Sequence, residues 1–274
     1  MYDWVIFSIL GLVEGITEFL PISSSGHLII ARELLGATGV NSLAVDSVLQ
    51  LGTILAVVVY FSKDLLTLAH TAVKKVIGKP VRVEDGRLLL ALIVGTVPAV
   101  FFGLFLESTM DTVFRNTHLV AYALIVGSVV FLLAEYVSKR YGAQTGMEAV
   151  GFWKAILIGL FQALALVPGM SRSGMTISGG LFLGLSREAS ARFGFLLSVP
   201  IILGAGSRKL LELAGVGGFD AIGAPLVIGS LVAFLSGLAA IHILLKFLRT
   251  HPLYVFAVYR VLVAVTILMF LAPI

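Results

Sequence analysis

Leu88–Phe105 runs its whole length without an Asp, Glu, Lys or Arg, and so do Leu119–Leu133 and Pro225–Leu245. A helix crossing the roughly 30 Å of a bilayer's hydrocarbon needs about 20 mostly apolar residues, so each run reads as a spanning helix. Composition agrees: 59% of the 274 residues are hydrophobic and 12% are charged, whereas about a quarter of a soluble domain is charged. The chain is expected to be an all-α polytopic membrane protein, with residues 1–274 forming a single membrane domain.

Val45–Phe61, Ala191–Gly204 and Leu253–Leu271 add three shorter or interrupted spans, making six transmembrane helices. Val5–Leu35 and Phe152–Leu185 read differently, each apolar at both ends and broken in the middle by Pro, Gly and Ser. Each arm is too short to cross comfortably, so both are expected to be re-entrant helical hairpins. Non-helical backbone at that depth survives only if it is buried in protein or lines a wet cavity. In this topology Lys63, Lys74, Lys75, Lys79, Arg82, Arg87, Lys139, Arg140, Lys246 and Arg249 fall on one side, against Arg115, Arg208 and Lys209 on the other. The positive-inside rule then puts the long loop after Phe61 in the cytoplasm and both termini outside. Basic residues collected in such loops are the ordinary source of a positive net charge, here +4, in a membrane protein. The basic residues form no stripe with interleaved aromatics, so nucleic acid is not an expected partner. The chain has no cysteine, which excludes disulfides, thiolate nucleophiles and cysteine-bound zinc.

An internal repeat orders these elements. A shift of 148 residues sets Gly11 on Gly159, Leu12 on Leu160, Ser23 on Ser171, Ser25 on Ser173 and Gly26 on Gly174. Gly52 falls on Gly194 at a shift of 142, and Gly95 and Gly103 fall on Gly229 and Gly237 at 134. Each half, repeat one at 1–137 and repeat two at 152–274, then holds one hairpin and three spans. An odd number of crossings turns the second half upside down. Such inverted-topology repeats bring their discontinuous helices together near the midplane, where binding sites form.

The first broken segment reads Glu14-Gly15-Ile16-Thr17-Glu18-Phe19-Leu20-Pro21-Ile22-Ser23-Ser24-Ser25-Gly26-His27. Glu14 and Glu18, four apart, share one helical face. Two carboxylates side by side in an apolar segment are tolerable if a metal ion sits between them or if one holds a proton. Hard oxygen ligands of this kind suit magnesium or calcium. Ser23, Ser24, Ser25 and Gly26 follow a proline at the mouth of a new helix, where amides and hydroxyls make an anion cradle. His27, within a turn of these hydroxyls, is a candidate general base or acid.

The second segment reads Pro168-Gly169-Met170-Ser171-Arg172-Ser173-Gly174-Met175-Thr176. An Arg among small hydroxyl residues offers a planar fork to phosphate oxygens; pairing of Arg172 with Glu14 or Glu18 across the repeats is compatible with that role. Where the first half has Glu14, Glu18 and His27, the second has Gln162, Leu166 and Met175. One half thus carries the acid–base groups and the other the clamp. His242, His251 and Arg260 read as packing or headgroup contacts.

At these two segments the sequence resembles the undecaprenyl-diphosphate phosphatase family, also called the bacitracin-resistance proteins, and the resemblance extends over essentially the whole chain. It implies hydrolysis of the terminal phosphate of undecaprenyl diphosphate, which regenerates the monophosphate carrier for peptidoglycan assembly. It further implies a bacterial inner-membrane enzyme, metal-dependent, with its active site toward the periplasm. Residue by residue, Glu14 and Glu18 match the acidic motif, Ser24 the proposed nucleophile, His27 the motif histidine and Arg172 the phosphate-binding arginine. Ser171, Ser173 and Thr176 stand beside that arginine, and Ser23 and Ser25 beside the nucleophile. Ser25 occupies a position where some relatives have Thr, a departure that keeps the hydroxyl.

The expected partners are a polyprenyl diphosphate lipid and the bilayer itself, with self-association into a homodimer left open. A divalent metal is the expected cofactor, held by Glu14 and Glu18. The rival reading is a transporter or flippase for a phosphate-bearing lipid or an anion, since inverted repeats and broken helices are common to both. The one-sided Glu/Glu/Ser/His set discriminates between them, because hydrolysis needs it and passive binding does not.

Overall fold

Long apolar runs break ahead of Pro21 and Pro168, one helix ending at Phe19 and another at Leu164, where proline's missing donor adds to Gly and Ser that favour non-helical backbone. The computed structural model describes residues 2–37, 42–106, 116–142, 144–215 and 219–271, and their regular structure is helical apart from one isolated bridge between Thr145 and Leu185. The first interrupted run gives α1 (Tyr2–Phe19) and α2 (Ser24–Leu35). Then come α3 (Ser42–Tyr60), α4 (Ser62–Val76), α5 (Val83–Phe105) and α6 (Thr117–Tyr141). The second interrupted run gives α7 (Phe152–Leu164) and α8 (Arg172–Phe182). The chain ends with α9 (Arg187–Gly215), α10 (Phe219–Leu248) and α11 (Tyr254–Thr266), the last continuing as a π-helical turn over Ile267–Leu271.

Four of these helices, α5, α6, α9 and α10, are long and apolar enough to cross a bilayer. α3 and α4 pass the same test only as a pair, bent by 80° at Phe61, and α11 is apolar but shorter. The protein is therefore an all-helical, polytopic membrane protein, and exposed Phe101, Phe105, Leu104 and Val97 on α5 are the side chains such a helix turns to lipid.

Two sequence expectations change. The segment after Phe61 is not a loop: α4 buries Leu68 and Thr71 against the bundle while Lys63, Lys74 and Lys75 stay exposed. Its mixed, short-period pattern has too little hydropathy to register as a span. Ala191–Gly204 is only the apolar middle of α9, whose far end carries Arg208 and Lys209, both paired with Glu212 at 3.3 and 2.8 Å. Arg115, counted among the outer loops, lies outside the described residues.

α1 lies along α10 and α5 along α7, and at both crossings backbone meets backbone. A Cβ on Gly11 would fall 2.0 Å from the Gly229 carbonyl oxygen, and one on Gly159 would fall 2.2 Å from that of Gly95. Glycine is required at such crossings, because van der Waals approach rather than the hydrophobic effect drives helix association in lipid. These four glycines are the two pairs that the shifts of 148 and 134 residues match. α3 fills the space against α9 and α10, and α11 packs on α6.

The end of the bundle that carries α4 is tied by ion pairs. Buried Glu135 takes two hydrogen bonds from Arg187, at 2.8 and 2.6 Å, and a third from the Leu253 amide at 2.8 Å. Arg192 reaches Asp64 at 3.0 Å, and Arg249 reaches Glu188 at 2.9 Å. The three pairs link α6, α9, α4 and the turn after α10, which fixes where α8 hands over to α9 and therefore where the second broken segment sits.

Candidate active site

Both breaks end on a serine in a conformation that side chains rarely adopt. Ser23 has φ 74° and Ser171 φ 72°, and they are the described non-glycine residues with positive φ. Each immediately precedes a helix, so that Ser24 and Arg172 become the first residues of α2 and α8. In each turn the left-handed serine also lies close to the serine two residues on: Ser23 to Ser25 at 3.1 Å and Ser171 to Ser173 at 3.2 Å. Backbone strain of this kind persists only where the surroundings over-determine it, and it concentrates at functional sites.

The two helix mouths then diverge. Ser171 Oγ caps α8 by accepting from the Gly174 amide at 3.3 Å, whereas Ser23 makes no side-chain cap on α2. The first-turn amides of α2 thus lack a side-chain partner from their cap residue, the situation in which a helix N-terminus accepts an anion.

Glu18 joins the two segments. Its Oε2 accepts a hydrogen bond from Ser24 Oγ at 2.7 Å, and its Oε1 lies 3.3 Å from Arg172 Nη1. Arg172 Nη1 is buried yet makes no hydrogen bond, so the pair is one of charge rather than of aligned donor and acceptor. Ser173 Oγ, two residues from its own cap, donates across to the Leu20 carbonyl at 3.2 Å. Glu18 and Arg172 therefore face one another across the two breaks and not on separate lipid-exposed surfaces.

Glu14, one turn below Glu18, is fully buried, and neither of its carboxylate oxygens has a hydrogen-bond partner. Its counterpart Gln162 is equally buried and equally unpartnered. The His27 ring nitrogens have partners other than the Ser24 hydroxyl. Its Nδ1 lies 2.8 Å from the Ser23 carbonyl oxygen and its Nε2 lies 2.8 Å from Tyr259 Oη. A carbonyl only accepts, so Nδ1 carries a proton, and in the neutral ring Nε2 accepts from the tyrosine. Thr176 is buried, and its hydroxyl bonds back to the Arg172 and Ser173 carbonyls at 3.0 and 3.2 Å.

A family model described as bacitracin resistance protein BacA matches residues 7–266. The chain belongs to this family. Proteins named undecaprenyl-diphosphatase resemble it over nearly its full length. That of Mycolicibacterium smegmatis is 44% identical over 269 residues, 97% of this chain and 96% of the relative. That of Mycobacterium bovis is 42% identical over 274 residues (98% and 97%), and that of Chloroherpeton thalassium 38% identical over 272 residues (96% and 95%).

In this member of the BacA family, two residues at the site escaped the sequence reading. Tyr259 carries no motif, and only the fold brings it to His27. Arg260, which the sequence alone reads as a packing or headgroup contact, is fully buried and donates to carbonyls of both breaks. Its signal was present in the sequence, since an ionisable side chain within an apolar run is a functional candidate by default.

Proposed function

We propose that the protein hydrolyses undecaprenyl diphosphate to undecaprenyl phosphate and inorganic phosphate, which returns the carrier lipid to peptidoglycan assembly and supports resistance to bacitracin. The observation that carries this reading is Glu18 shared between the Ser24 hydroxyl and the Arg172 guanidinium. A nucleophile hydrogen-bonded to a base, with a cation beside both, is the arrangement phosphoryl transfer needs. The relatives' names point the same way.

The prenyl tail stays in the bilayer and the diphosphate reaches the two breaks between Glu18 and Arg172. Arg172 and the α2 amides hold the oxygens of the terminal phosphoryl group. Ser24 Oγ forms a bond to the terminal phosphorus while the bond to the bridging oxygen breaks, and Glu18 takes the hydroxyl proton. Undecaprenyl phosphate leaves with the proton from Glu18; Glu18 then takes a proton from water, whose oxygen bonds to the phosphoserine phosphorus as the bond to Ser24 Oγ breaks, and returns that proton to Ser24, freeing inorganic phosphate. His27 holds the Ser23 carbonyl, and through it the turn on which Ser24 stands.

Glu14 fits a divalent cation, because two buried carboxylate oxygens without partners, one turn from a second carboxylate, are the hard donors that magnesium or calcium takes. Such an ion, held by Glu14 and Glu18, would supply positive charge to the phosphoryl oxygens.

The same reading gives the chain two inverted halves, 1–137 and 152–274, with six spans and two re-entrant hairpins. The recurrence of the Gly11–Gly229 contact as Gly95–Gly159, and of the left-handed serine at both breaks, supports it. The active site then opens to the periplasm of a bacterial inner membrane, with Lys74, Lys75 and Lys79 in the cytoplasm. A single cysteine at position 79 of this cysteine-free chain reacts with an impermeant maleimide only after the inner membrane is opened; labelling of intact spheroplasts would reverse the orientation. For the activity, phosphate release from undecaprenyl diphosphate is measured with and without chelator, for wild type and Arg172→Ala. Release unaffected by both treatments ends the mechanism, and transport without hydrolysis would favour the carrier reading.

A further inference from the structure

Arg260 is fully buried in α11, and its hydrogen-bond partners among the described residues are carbonyl and hydroxyl oxygens with no carboxylate among them. Nη2 donates to the Gly169 carbonyl at 2.8 Å, and Nη1 to those of Met170 at 3.1 Å and Pro21 at 3.5 Å. Nε and Nη2 reach α6 through the Leu124 carbonyl and the Ser128 hydroxyl, and the guanidinium lies 4.7 Å from the Phe131 ring centroid. α6 makes room with Gly127, where a Cβ would fall 2.2 Å from Nη2. A cation in this setting is costly to desolvate and is retained only when its surroundings repay it.

Its ligands identify its task. The Met170 carbonyl immediately precedes the left-handed Ser171, and the Pro21 carbonyl lies two residues before the left-handed Ser23. One side chain thus grips both turns just before they deliver Arg172 and Ser24. A guanidinium has five donors in a fixed plane and can hold three segments at once; an ammonium is a single point on a flexible stem. The neighbouring Tyr259 adds the bond to His27, so α11 touches both turns through consecutive residues.

We propose that Arg260 is a positioning residue that sets Arg172 against Ser24 and Glu18 by locking the two hairpin turns to each other and to α6. This rests on the phosphatase reading, and its consequence is kinetic. Misplacing a clamp relative to a nucleophile by about 1 Å costs on the order of 100-fold in rate, and does so more in kcat than in KM.

The test uses Arg260→Lys and Gly127→Ala in purified, reconstituted full-length protein, with activity normalised to folded protein. Distances between spin labels at Leu34→Cys and Leu164→Cys, one on each hairpin, are measured in parallel. The expected result for both variants is a kcat at least about 10-fold lower, a KM changed by less than about threefold, and a broadened or shifted interhairpin distance. Should Arg260→Lys fail to fold, Gly127→Ala carries the test, since it displaces the guanidinium and keeps its charge. A folded variant with wild-type kcat and an unchanged distance overturns the proposal, as does activity lost only in proportion to folded protein. If the wild type itself releases no phosphate, the phosphatase reading fails, while the distance measurement still decides whether Arg260 locks the hairpins.

Discussion

Glu18 and Arg172 approach to 3.3 Å from opposite halves of the sequence, while the other oxygen of Glu18 holds Ser24 at 2.7 Å. The carboxylate therefore works in two directions, and Arg172 must keep its charge and its planar fork to serve phosphate as well. Arg172→Lys keeps the charge and loses the fork. The expected outcome is a fall of kcat/KM of about 100-fold or more with the protein still folded, since lysine and arginine are not interchangeable at a bidentate site. Near-wild-type kcat/KM in Arg172→Lys would reduce the residue to a point charge.

Ser24 is the hydroxyl bonded to that carboxylate. Ser24→Ala should lower turnover by at least about 100-fold, the scale on which a positioned proton acceptor and its nucleophile act. Substrate labelled in its terminal phosphate should leave label on the acid-quenched wild-type protein and none on Ser24→Ala. Turnover retained in the alanine variant would point to direct attack by water, with Glu18 as its base.

Glu14 is a buried carboxylate without hydrogen-bond partners, and a group in that state destabilises the fold unless something neutralises it. Magnesium should raise the unfolding temperature of the wild type and not that of Glu14→Gln. At a concentration of 100 times the dissociation constant the expected stabilisation is about 2.7 kcal/mol. Equal stabilisation of both proteins would take Glu14 out of any cation site. Without added metal the glutamine variant should be at least as stable as the wild type, because an amide is neutral without needing a proton or a cation.

Much of this site was legible before the fold. The composition of Glu14 to His27 and of Pro168 to Thr176 was enough to identify two polar breaks in apolar runs, and the shift that pairs Ser23 with Ser171 pairs two turns of like backbone geometry. Which group the Ser24 hydroxyl bonds to was not legible. His27 and Glu18 are both within a turn or two in sequence, and only the left-handed Ser23 decides that the hydroxyl swings to the carboxylate and the imidazole to the Ser23 carbonyl. Tyr259 and Arg260 come from the last helix, whose contact with the breaks is a product of packing and leaves no periodic trace. α4 was missed for a related reason: its lysines mask a helix that lies at 80° to its neighbour.

The bond from Tyr259 to His27 carries a prediction of its own. It is a neutral hydrogen bond of 2.8 Å, and such a bond contributes about 1 kcal/mol, roughly fivefold in rate if it acts wholly on the transition state. Tyr259→Phe should lower kcat by about that factor, and His27→Ala by more, because the alanine also releases the Ser23 carbonyl. The double variant should be no worse than His27→Ala, since the tyrosine acts through the ring. Additive losses would give Tyr259 a contact with substrate independent of His27.

The crossings of α1 with α10 and α5 with α7 test the architecture itself. Adding a Cβ at Gly11 drives it to 2.0 Å from the Gly229 oxygen, and one at Gly159 to 2.2 Å from the Gly95 oxygen. Neither obstacle is the flexible end of a side chain, so the helices must separate, at a cost of about 1–3 kcal/mol for overpacking. Gly11→Ala and Gly159→Ala should therefore lower the unfolding temperature by similar amounts in detergent or bilayer, although of these helices only α1 carries the carboxylates of the site. Activity distinguishes the two, because α1 bears Glu14 and Glu18, three and seven residues beyond Gly11, on the helix that would tilt. Gly11→Ala should lose kcat beyond its loss of folded protein, and Gly159→Ala should lose less. Tolerance of either alanine with an unchanged unfolding temperature would mean that the helices do not meet backbone to backbone, and the equivalence of the two halves would lose its main structural support.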